Sequence, residues 1–311
     1  LVPRAGGTAK ILYTIYMVLT AAETVALRIA GMSWFDAVNH AFTTIATGGF
    51  SVRDGSIAAY HSEAIVWVIV AFTILAGINF SLLFAIACGR FRTAFRSEEL
   101  RWYLLILAVT ISLICIDLHV EMGYGWYESI SDASFQVTTI MSTTGYATRD
   151  FTLWPTFSRC ILVLLMYVGG SAGSTAGGMK ISRLMLLTKS LRRELDHIIH
   201  PNRVSVITID GQPVDEKAVT SAHMFQVAYL LVLMAGTLVV SLDVLGFTES
   251  FVASLTCISN VGPSLGSLGP MANFAPLSWF SKLVLTLVML MGRLELMPML
   301  VLLSPTTWRS K

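Results

Sequence analysis

Long apolar stretches alternate with short polar connections along this chain. Three stretches contain no Asp, Glu, Lys or Arg: residues 64–89, 160–179 and 218–242. Three weaker stretches carry two or three charged residues each: 11–30, 101–118 and 276–303. A helix of about 20 apolar residues crosses a bilayer core of about 30 Å. The pattern therefore predicts an all-α integral membrane protein with six spans.

Three shorter amphipathic segments lie between these spans: residues 34–46, 126–142 and 248–259. Each is too short to cross the membrane alone. Each follows one span and precedes another that starts on the same, outer side, so it must enter the membrane and return. Irregular backbone at membrane depth is tolerated only where protein buries it or where it lines a watery cavity. The pattern predicts re-entrant pore helices followed by loops.

The glycine-containing breaks after these segments are related in sequence. The stretch at 35–54 reads FDAVNHAFTTIATGGFSVRD and aligns without a gap with SDASFQVTTIMSTTGYATRD at 131–150, and ESFVASLTCISNVGPS at 249–264 joins the same frame. In all three copies an acidic residue precedes an aligned glycine by 13 positions: Asp36 and Gly49, Asp132 and Gly145, Glu249 and Gly262. A carboxylate suits the positive end of a helix, so we expect these acids to cap the pore helices.

A single Thr-Gly-Gly is also typical of an ordinary helix C-cap. Three copies in one frame favour a different interpretation, in which loop carbonyls face an axis and hold a dehydrated cation. Glycine permits the positive φ and the close backbone approach that such a loop needs. We expect the aromatic residues Phe50 and Tyr146 to support the loops from behind.

The stretch at 169–180 reads GGSAGSTAGGMK and interrupts an otherwise apolar span. Each glycine costs about 1 kcal/mol of helix propensity, so we expect the span to break in mid-membrane. Small residues could instead serve close helix packing. A phosphate-binding loop is disfavoured, because Met179 separates Gly178 from Lys180 and Ile181 replaces the required Ser or Thr.

Composition agrees with a membrane protein. Of 311 residues, 55% are hydrophobic and 13% charged, with a mean hydropathy of +0.70, whereas soluble domains have about 25% charged residues. The net charge of +2 does not indicate a nucleic-acid partner. No catalytic constellation is visible, so the sequence does not predict an enzyme. The first residues, LVPR, resemble a protease-site remnant.

Basic residues cluster at alternate ends of the spans, and by the positive-inside rule these ends, with both termini, are cytoplasmic. The clusters comprise Arg4, Lys10, Arg90, Arg92, Arg96, Arg101, Arg183, Lys189, Arg192, Arg193, Arg203, Lys217, Arg309 and Lys311.

Several separated motifs resemble the Trk/Ktr/HKT superfamily of potassium transporters, most closely its TrkH branch. They are TGGF, TTGY and NVGP in the three loops, GGSAGSTAGGMK, and GRLELMPMLVLLSPTTWR at 292–309. The resemblance covers essentially the whole chain. It implies the pore-forming subunit of a potassium uptake system in the cytoplasmic (inner) membrane of a bacterium. The transported ion would be K⁺, with Rb⁺ or Na⁺ as further candidates, and no cofactor is implied.

Superfamily members carry four M1-P-M2 repeats around one pore and work as homodimers. The resemblance implies that this chain contains the second repeat at 1–90, the third at 91–200 and the fourth at 219–311, and lacks the first. Residues 201–218 would form a cytoplasmic hairpin, as VSVITIDGQPVDE with its Asp-Gly turn also predicts. The resemblance suggests that this face binds a cytosolic, nucleotide-binding regulatory subunit of the TrkA type.

The resemblance also assigns site residues. Three of four walls of a K⁺ selectivity filter would be formed by Thr47, Gly48, Gly49, Phe50, Thr143, Thr144, Gly145, Tyr146, Asn260, Val261, Gly262 and Pro263. An intramembrane gate would comprise Gly169, Gly170, Ser171, Gly173, Ser174, Thr175, Gly177, Gly178 and Lys180.

Arg293 would act beside this gate as an electrostatic barrier to cations. An unpaired cation in the membrane costs several kcal/mol, so Arg293 must face a partner or water. The alternative is a structural ion pair with Glu295 or another acid, although residues two apart on a helix do not share a face.

Two further functions remain open. An H⁺- or Na⁺-coupled potassium symporter would also have broken helices, but it needs a titratable group at the binding site, and the filter stretches contain no acid or histidine. A non-transporting membrane scaffold for a cytosolic partner would tolerate bulkier residues at Gly49, Gly145 and Gly262.

Overall fold

The computed structural model describes residues 5–202, 205–243, 245–303 and 305–308. Within these ranges the chain is helical apart from one two-stranded hairpin and the connecting loops, which confirms the predicted all-α class. Four of the basic residues used for the predicted orientation, and the rest of LVPR, lie outside the described ranges: Arg4, Arg203, Arg309 and Lys311.

The described helices run in chain order as α1 Ala5–Ile29, α2 Trp34–Ile45, α3 Glu63–Ala76, α4 Phe80–Ala87, α5 Phe91–Arg96, α6 Glu98–Met122, α7 Trp126–Met141, α8 Thr156–Val168, α9 Ile181–Ile199, α10 Glu216–Val240, α11 Phe247–Ser259, α12 Trp279–Arg293, α13 Leu296–Leu303 and α14 Pro305–Trp308. The hairpin strands are β1 Thr208–Ile209 and β2 Gln212–Pro213, and short 3-10 helices cover Ser56–Tyr60, Phe151–Leu153, Ser241–Asp243 and Gly266–Leu268.

Three helices are long and apolar enough to cross a membrane without interruption: α1, α6 and α10. They correspond to the predicted spans 11–30, 101–118 and 218–242. Their outward faces carry large apolar side chains, such as Val227, Leu231 and Leu238 on α10. Apolar side chains on the outside of a helical assembly are what a lipid environment requires.

The other three predicted spans are not continuous helices. The pair α3 and α4 bends by 105° at Gly77–Asn79, and the pair α12 and α13 bends by 117° after Arg293. Hydropathy cannot detect such breaks, because the residues at both sides are equally apolar. The third span is helical only as far as Val168, where the glycine-rich stretch begins, so the break expected there is confirmed.

The short helices α2, α7 and α11, called here the pore helices, occupy the centre. Helix α2 packs against α1 and α3, α7 against α6, α8 and α3, and α11 against α10, α12 and α8. Helix α7 is buried along nearly its whole length, including polar residues such as Gln136 and Thr139. The longer helices therefore enclose α7, whereas one face of α2, with Trp34, Phe35 and Phe42, is exposed in the described chain.

The predicted cytoplasmic hairpin is present as an antiparallel pair, Thr208 with Pro213 and Ile209 with Gln212. Its two turn residues, Asp210 and Gly211, have φ of 52° and 76°. Positive φ at both positions is typical of a tight hairpin turn with an Asp-Gly sequence.

Candidate ion pathway

The three loops that follow the pore helices share one backbone conformation. These filter loops comprise residues 47–50, 143–146 and 260–263. In each loop, the first residue has positive φ, the second has negative φ, and the third is a glycine with positive φ. The first residues, Thr47, Thr143 and Asn260, have φ of 52°, 58° and 59°. The glycines, Gly49, Gly145 and Gly262, have φ of 65°, 82° and 105°. A left-handed residue other than glycine costs roughly 1–2 kcal/mol. Three equivalent positions with that cost indicate that local contacts impose the shape.

Those contacts come from a threonine near the end of each pore helix. Its carbonyl accepts loop N–H groups: Thr43 from Gly48 at 2.7 Å and Gly49 at 3.2 Å, Thr139 from Thr144 at 2.8 Å and Gly145 at 3.1 Å, and Thr256 from Val261 at 2.9 Å. Its hydroxyl bonds to the second half of the loop: Thr43 donates to Phe50 O at 2.9 Å and Thr139 donates to Tyr146 O at 3.2 Å, at the fourth loop residue, and Thr256 accepts from Gly262 N at 2.9 Å, at the third.

Sequence reasoning missed these threonines as functional residues. The signal was present, because the frame that aligns the three glycines also aligns Thr43, Thr139 and Thr256. Each threonine uses both its carbonyl and its hydroxyl on one loop. It therefore folds that loop back along its own pore helix.

The carbonyl groups of the first three residues of each filter loop have no such partners. In the part of the chain that the structure describes, no hydrogen bond is donated to the carbonyls of residues 47–49, 143–145 or 260–262. Carbonyl oxygens without a partner at membrane depth are costly unless something else binds them. They are also the groups that replace the hydration shell of K⁺ in a selectivity filter.

The loops contact one another in sequence order through their glycines. A Cβ atom at Gly49 would lie 1.8 Å from Thr144 O, and one at Gly145 would lie 1.9 Å from Val261 O. A Cβ at Gly262 would meet nothing within 4 Å among the described residues. The three loops therefore form an arc in which each glycine allows the next loop to approach, and the arc is open beyond the third.

A cavity of about 1100 Å³ lies within this arc. Ten of the twelve predicted filter residues line it: Thr47, Gly48, Gly49, Phe50, Thr144, Gly145, Asn260, Val261, Gly262 and Pro263. The other two, Thr143 and Tyr146, are fully buried behind it.

The two aromatic residues behave differently. The Tyr146 hydroxyl lies 2.6 Å from Thr43 Oγ1 and donates to His40 O at 3.2 Å, so Tyr146 supports the neighbouring pore helix α2, whereas we expected it to support the loops. Phe50 is 76% exposed. The expectation that Phe50 supports its loop from behind is wrong, because its ring lies on the cavity side, next to Gly48.

The predicted caps need one correction. Asp36 and Glu249 lie in the first turn of their pore helices, whereas the first turn of α7 contains Glu128 instead of Asp132. The reason is that α7 begins at Trp126, six residues before Asp132. Asp132 is therefore not a cap.

The glycine-rich loop, residues 169–180, joins α8 to α9. Ser171 N donates to Gly77 O at 3.0 Å and Phe80 N donates to Gly173 O at 3.1 Å, so the loop lies in the break between α3 and α4. Glu99 Oε1 accepts from Ala172 N at 2.6 Å. These contacts fix the loop to its surroundings.

Within the loop, Gly169, Gly170 and Ser171 are buried, and the chain folds tightly on itself. A Cβ at Gly169 would lie 2.5 Å from Gly177 O, and one at Gly178 would lie 3.0 Å from the Cα of Gly169. Ser174 Oγ donates to Ser171 O at 2.6 Å.

The same loop contacts the ends of all three pore helices. Thr175 Oγ1 donates to Ile45 O at 2.8 Å, and Gly177 N donates to Thr143 Oγ1 at 2.7 Å. A Cβ at Gly177 would lie 2.4 Å from Ser259 O. Thr47 Oγ1 donates to the carbonyl of Thr175 at 2.9 Å. The predicted gate and the predicted filter are thus in direct contact.

Arg293 ends α12 at this junction. Its Nη1 donates to Thr175 O at 3.1 Å and its Nη2 donates to Ala46 O at 3.0 Å. Ala46 follows the last residue of α2, and the C-terminal end of a helix attracts a cation. The alternative ion pair with Glu295 is not observed, because Glu295 lies 3.4 Å from Arg183 instead.

Asn260 connects the third filter loop to the same helix. With its amide oriented to satisfy both groups, Asn260 donates to Met289 O at 3.2 Å and accepts from Arg293 N at 3.1 Å. Below the glycine-rich loop lies a second cavity of about 200 Å³, whose charged lining residues are Lys180, Arg183, Arg293 and Glu295. A positively charged chamber next to the loop opposes the passage of cations.

The comparison with known proteins agrees with this arrangement. The family described as TrkH, cation transport protein, matches residues 3–309. The chain is 36% identical over 312 residues to the Trk system potassium uptake protein TrkH of Salmonella typhimurium (strain LT2), covering 99% of this chain and 64% of that protein. It is 38% identical over 316 residues to the TrkH of Vibrio parahaemolyticus, with the same coverage.

The crystal structure of the potassium transporter TrkH from Vibrio parahaemolyticus has the same fold, with a TM-score of 0.91 at 36% identity. The similarity covers 99% of this chain and 66% of that one. The present chain spans 64% of the length of the two curated relatives. On the family match over residues 3–309 and these similarities, the chain belongs to the TrkH family of cation transport proteins.

Proposed function

We propose that this chain forms most of a pore for potassium uptake across the cytoplasmic membrane of a bacterium. The observation that carries the proposal is the set of partnerless carbonyls on three equivalent loops around one cavity. Potassium would pass down its electrochemical gradient between these loops, with the carbonyls replacing its hydration shell. Rb⁺ and Na⁺ are further candidates for the transported ion. The process is transport and requires no resident cofactor.

The proposal includes a fourth wall. We assign residues 1–90, 91–200 and 219–311 to the second, third and fourth M1-P-M2 repeats, with the hairpin within 201–218. The open side of the arc at Gly262 supports a further loop beyond these three. The greater length of the relatives supports a first repeat that supplies it.

The gate in this proposal is the glycine-rich loop together with Arg293. The loop lies directly below the filter loops, and the guanidinium group occupies the position at the end of α2 where a permeating cation would be attracted. We therefore assign the described structure to the closed state of the pathway. Opening would require the loop to leave Thr143, Ile45 and Ser259.

The assembly around the pore is part of the same proposal. The relatives are named as components of a Trk system. We assign this chain a homodimeric state, both termini in the cytoplasm, and a cytosolic regulatory partner of the TrkA type that binds near the hairpin. The surrounding lipid bilayer contacts the apolar outer faces of α1, α6 and α10.

The experiment that tests the function is growth of a potassium-uptake-deficient bacterial strain at limiting potassium. The full-length gene is expected to restore growth, and Gly145→Ser is expected to abolish it, because a side chain there meets Val261 O. Gly125→Ser is the matched control, since Gly125 caps α7 with open space around its Cβ position and serine is a good N-cap. Equal growth with both variants would contradict the filter, and a full-length gene that restores no growth would favour a scaffold.

A further inference from the structure

Two of the pore units contain the same ion pair at the outer end of the filter loop. Asp36 Oδ2 accepts from Arg53 Nη2 at 3.3 Å, and Asp132 Oδ2 lies 2.7 Å from Arg149 Nε. In the frame that aligns the filter loops, Asp36 corresponds to Asp132 and Arg53 to Arg149. The chain leaving each filter loop is therefore fastened to its own pore helix.

The third unit makes the same connection without an arginine. The equivalent position is Gly266, with φ of 65°. Glu249 Oε1 accepts from Ser267 N at 2.7 Å, and a Cβ at Gly266 would lie 2.0 Å from that oxygen. Because glycine has no side chain, the backbone of the third unit contacts the carboxylate of that unit directly. In the other two units an arginine side chain makes the equivalent contact.

Burial and neighbouring rings favour these pairs. The two aspartate side chains are 7% and 10% exposed, and a buried carboxylate needs a partner. The guanidinium of Arg53 lies 6.0 Å from the centre of the Tyr60 ring, and that of Arg149 lies 5.4 Å from the centre of the Tyr124 ring. Arg53 is thus oriented by one acid and an aromatic ring, and Arg149 by two acids and an aromatic ring, because its Nη2 also donates to Glu128 Oε1 at 2.6 Å on the same pore helix.

Helix capping does not explain the arrangement. Asp132 lies beyond the first turn of α7, where the helix dipole has little effect, yet it contacts Arg149 at 2.7 Å. The shared feature of the three acids is instead that each contacts the chain just beyond its own filter loop. The loop is thus held at both ends: by a threonine near the end of the pore helix, and by an acid about 10 Å back along that helix.

We propose that Asp36, Asp132 and Glu249 are positioning residues that set the width of the outer filter mouth. This inference rests on the proposed filter function. If these contacts are lost, the outer part of each loop is free to move away from the axis, and the carbonyl spacing that favours potassium over sodium is relaxed. The first two acids act through arginine and require a negative charge. Glu249 acts through a backbone N–H and requires only an oxygen acceptor.

The test uses the full-length protein in liposomes and measures the ratio of potassium to sodium flux. Asp36→Asn and Asp132→Asn are each expected to lower this ratio about two- to tenfold, the effect of one lost charged contact. Glu249→Gln retains an oxygen for Ser267 N, so its ratio is expected to stay at the wild-type value. Asp54→Asn, which removes an exposed carboxylate next to Arg53, is the control and is expected to leave the ratio unchanged.

A double-mutant cycle separates positioning from a general loss of structure. Arg149→Gln combined with Asp132→Asn is expected to lower the ratio no further than Arg149→Gln alone, because without Arg149 the Asp132 carboxylate has no ion pair left to lose. Arg149→Lys, which keeps the charge, is expected to retain more of the ratio than Arg149→Gln.

Wild-type ratios in the Asp36 and Asp132 variants would overturn the inference. So would a Glu249→Gln variant as impaired as Asp132→Asn, or additive losses in the double variant. Gly145→Ser, measured in the same liposomes, separates the filter function from the positioning role of the acids. If Gly145→Ser loses selectivity and the acid variants keep it, the filter function is supported and the positioning role is contradicted. If Gly145→Ser also keeps wild-type selectivity, the filter function itself is contradicted.

Discussion

The guanidinium group of Arg293 and the carbonyl of Thr175 lie 3.1 Å apart, donor to acceptor, directly below the filter loops. The second arm of the guanidinium reaches Ala46 O at 3.0 Å. Arg293 thus joins the glycine-rich loop to the end of the first pore helix. In the proposed pathway, a single side chain would both hold the loop in place and place a positive charge on the path of a cation.

Replacement of Arg293 by alanine is expected to increase potassium flux through the full-length protein in liposomes by about tenfold or more, since it removes both a charge barrier and two charge-assisted hydrogen bonds. Arg293→Lys keeps the charge but cannot bind two carbonyls as a planar fork. Its flux is expected to lie between those of the wild type and the alanine variant. An unchanged or lower flux in correctly folded Arg293→Ala would contradict the gate.

The adjacent glycines 48 and 49 are expected to differ sharply in their tolerance of alanine. A Cβ at Gly49 would lie 1.8 Å from Thr144 O, at a φ of 65°. At Gly48 the nearest atom, in the flexible Phe50 ring, is 3.4 Å away. Gly49→Ala should therefore abolish potassium uptake, and Gly48→Ala should retain most of it, as measured by growth at limiting potassium. Similar growth of both variants would contradict the loop packing.

Thr139→Val is expected to reduce the preference for potassium over sodium about two- to tenfold, because it removes the hydroxyl that holds Tyr146 O at 3.2 Å. Thr138→Val is the matched control. Thr138 is equally buried, but its hydroxyl bonds only to carbonyls of its own helix, those of Ser134 and Phe135. Flux ratios measured in liposomes should separate the two variants, and equal ratios would show that Thr139 has no special role.

The repeated parts of the pathway could be predicted from sequence, because the three copies can be aligned with one another. The frame through Gly49, Gly145 and Gly262 located three loops that share the same backbone angles. Likewise, the five glycines between 169 and 180 predicted the break after Val168, since propensity is a local property.

Features that depend on long-range contacts could not be predicted in this way. The acceptors of Arg293 lie 118 and 247 positions away in the chain, so no local pattern indicates them. The bend at Gly77 has the same origin. Its carbonyl binds Ser171 N, and a Cβ there would lie 2.3 Å from the Tyr103 hydroxyl, whereas the surrounding stretch 64–89 contains no charged residue that would mark a break.

In the proposed pathway, the filter-loop carbonyls bind the transported cation. Crystals of the full-length protein grown with rubidium in place of potassium would test it most directly, through the anomalous scattering of rubidium. Rubidium peaks are expected on the axis of the loops, within coordination distance of the carbonyls of Thr144 and Val261, and these peaks are expected to be lost in Gly145→Ser crystals. Rubidium absent from the loops, or bound only elsewhere in the protein, would contradict cation binding by the filter loops.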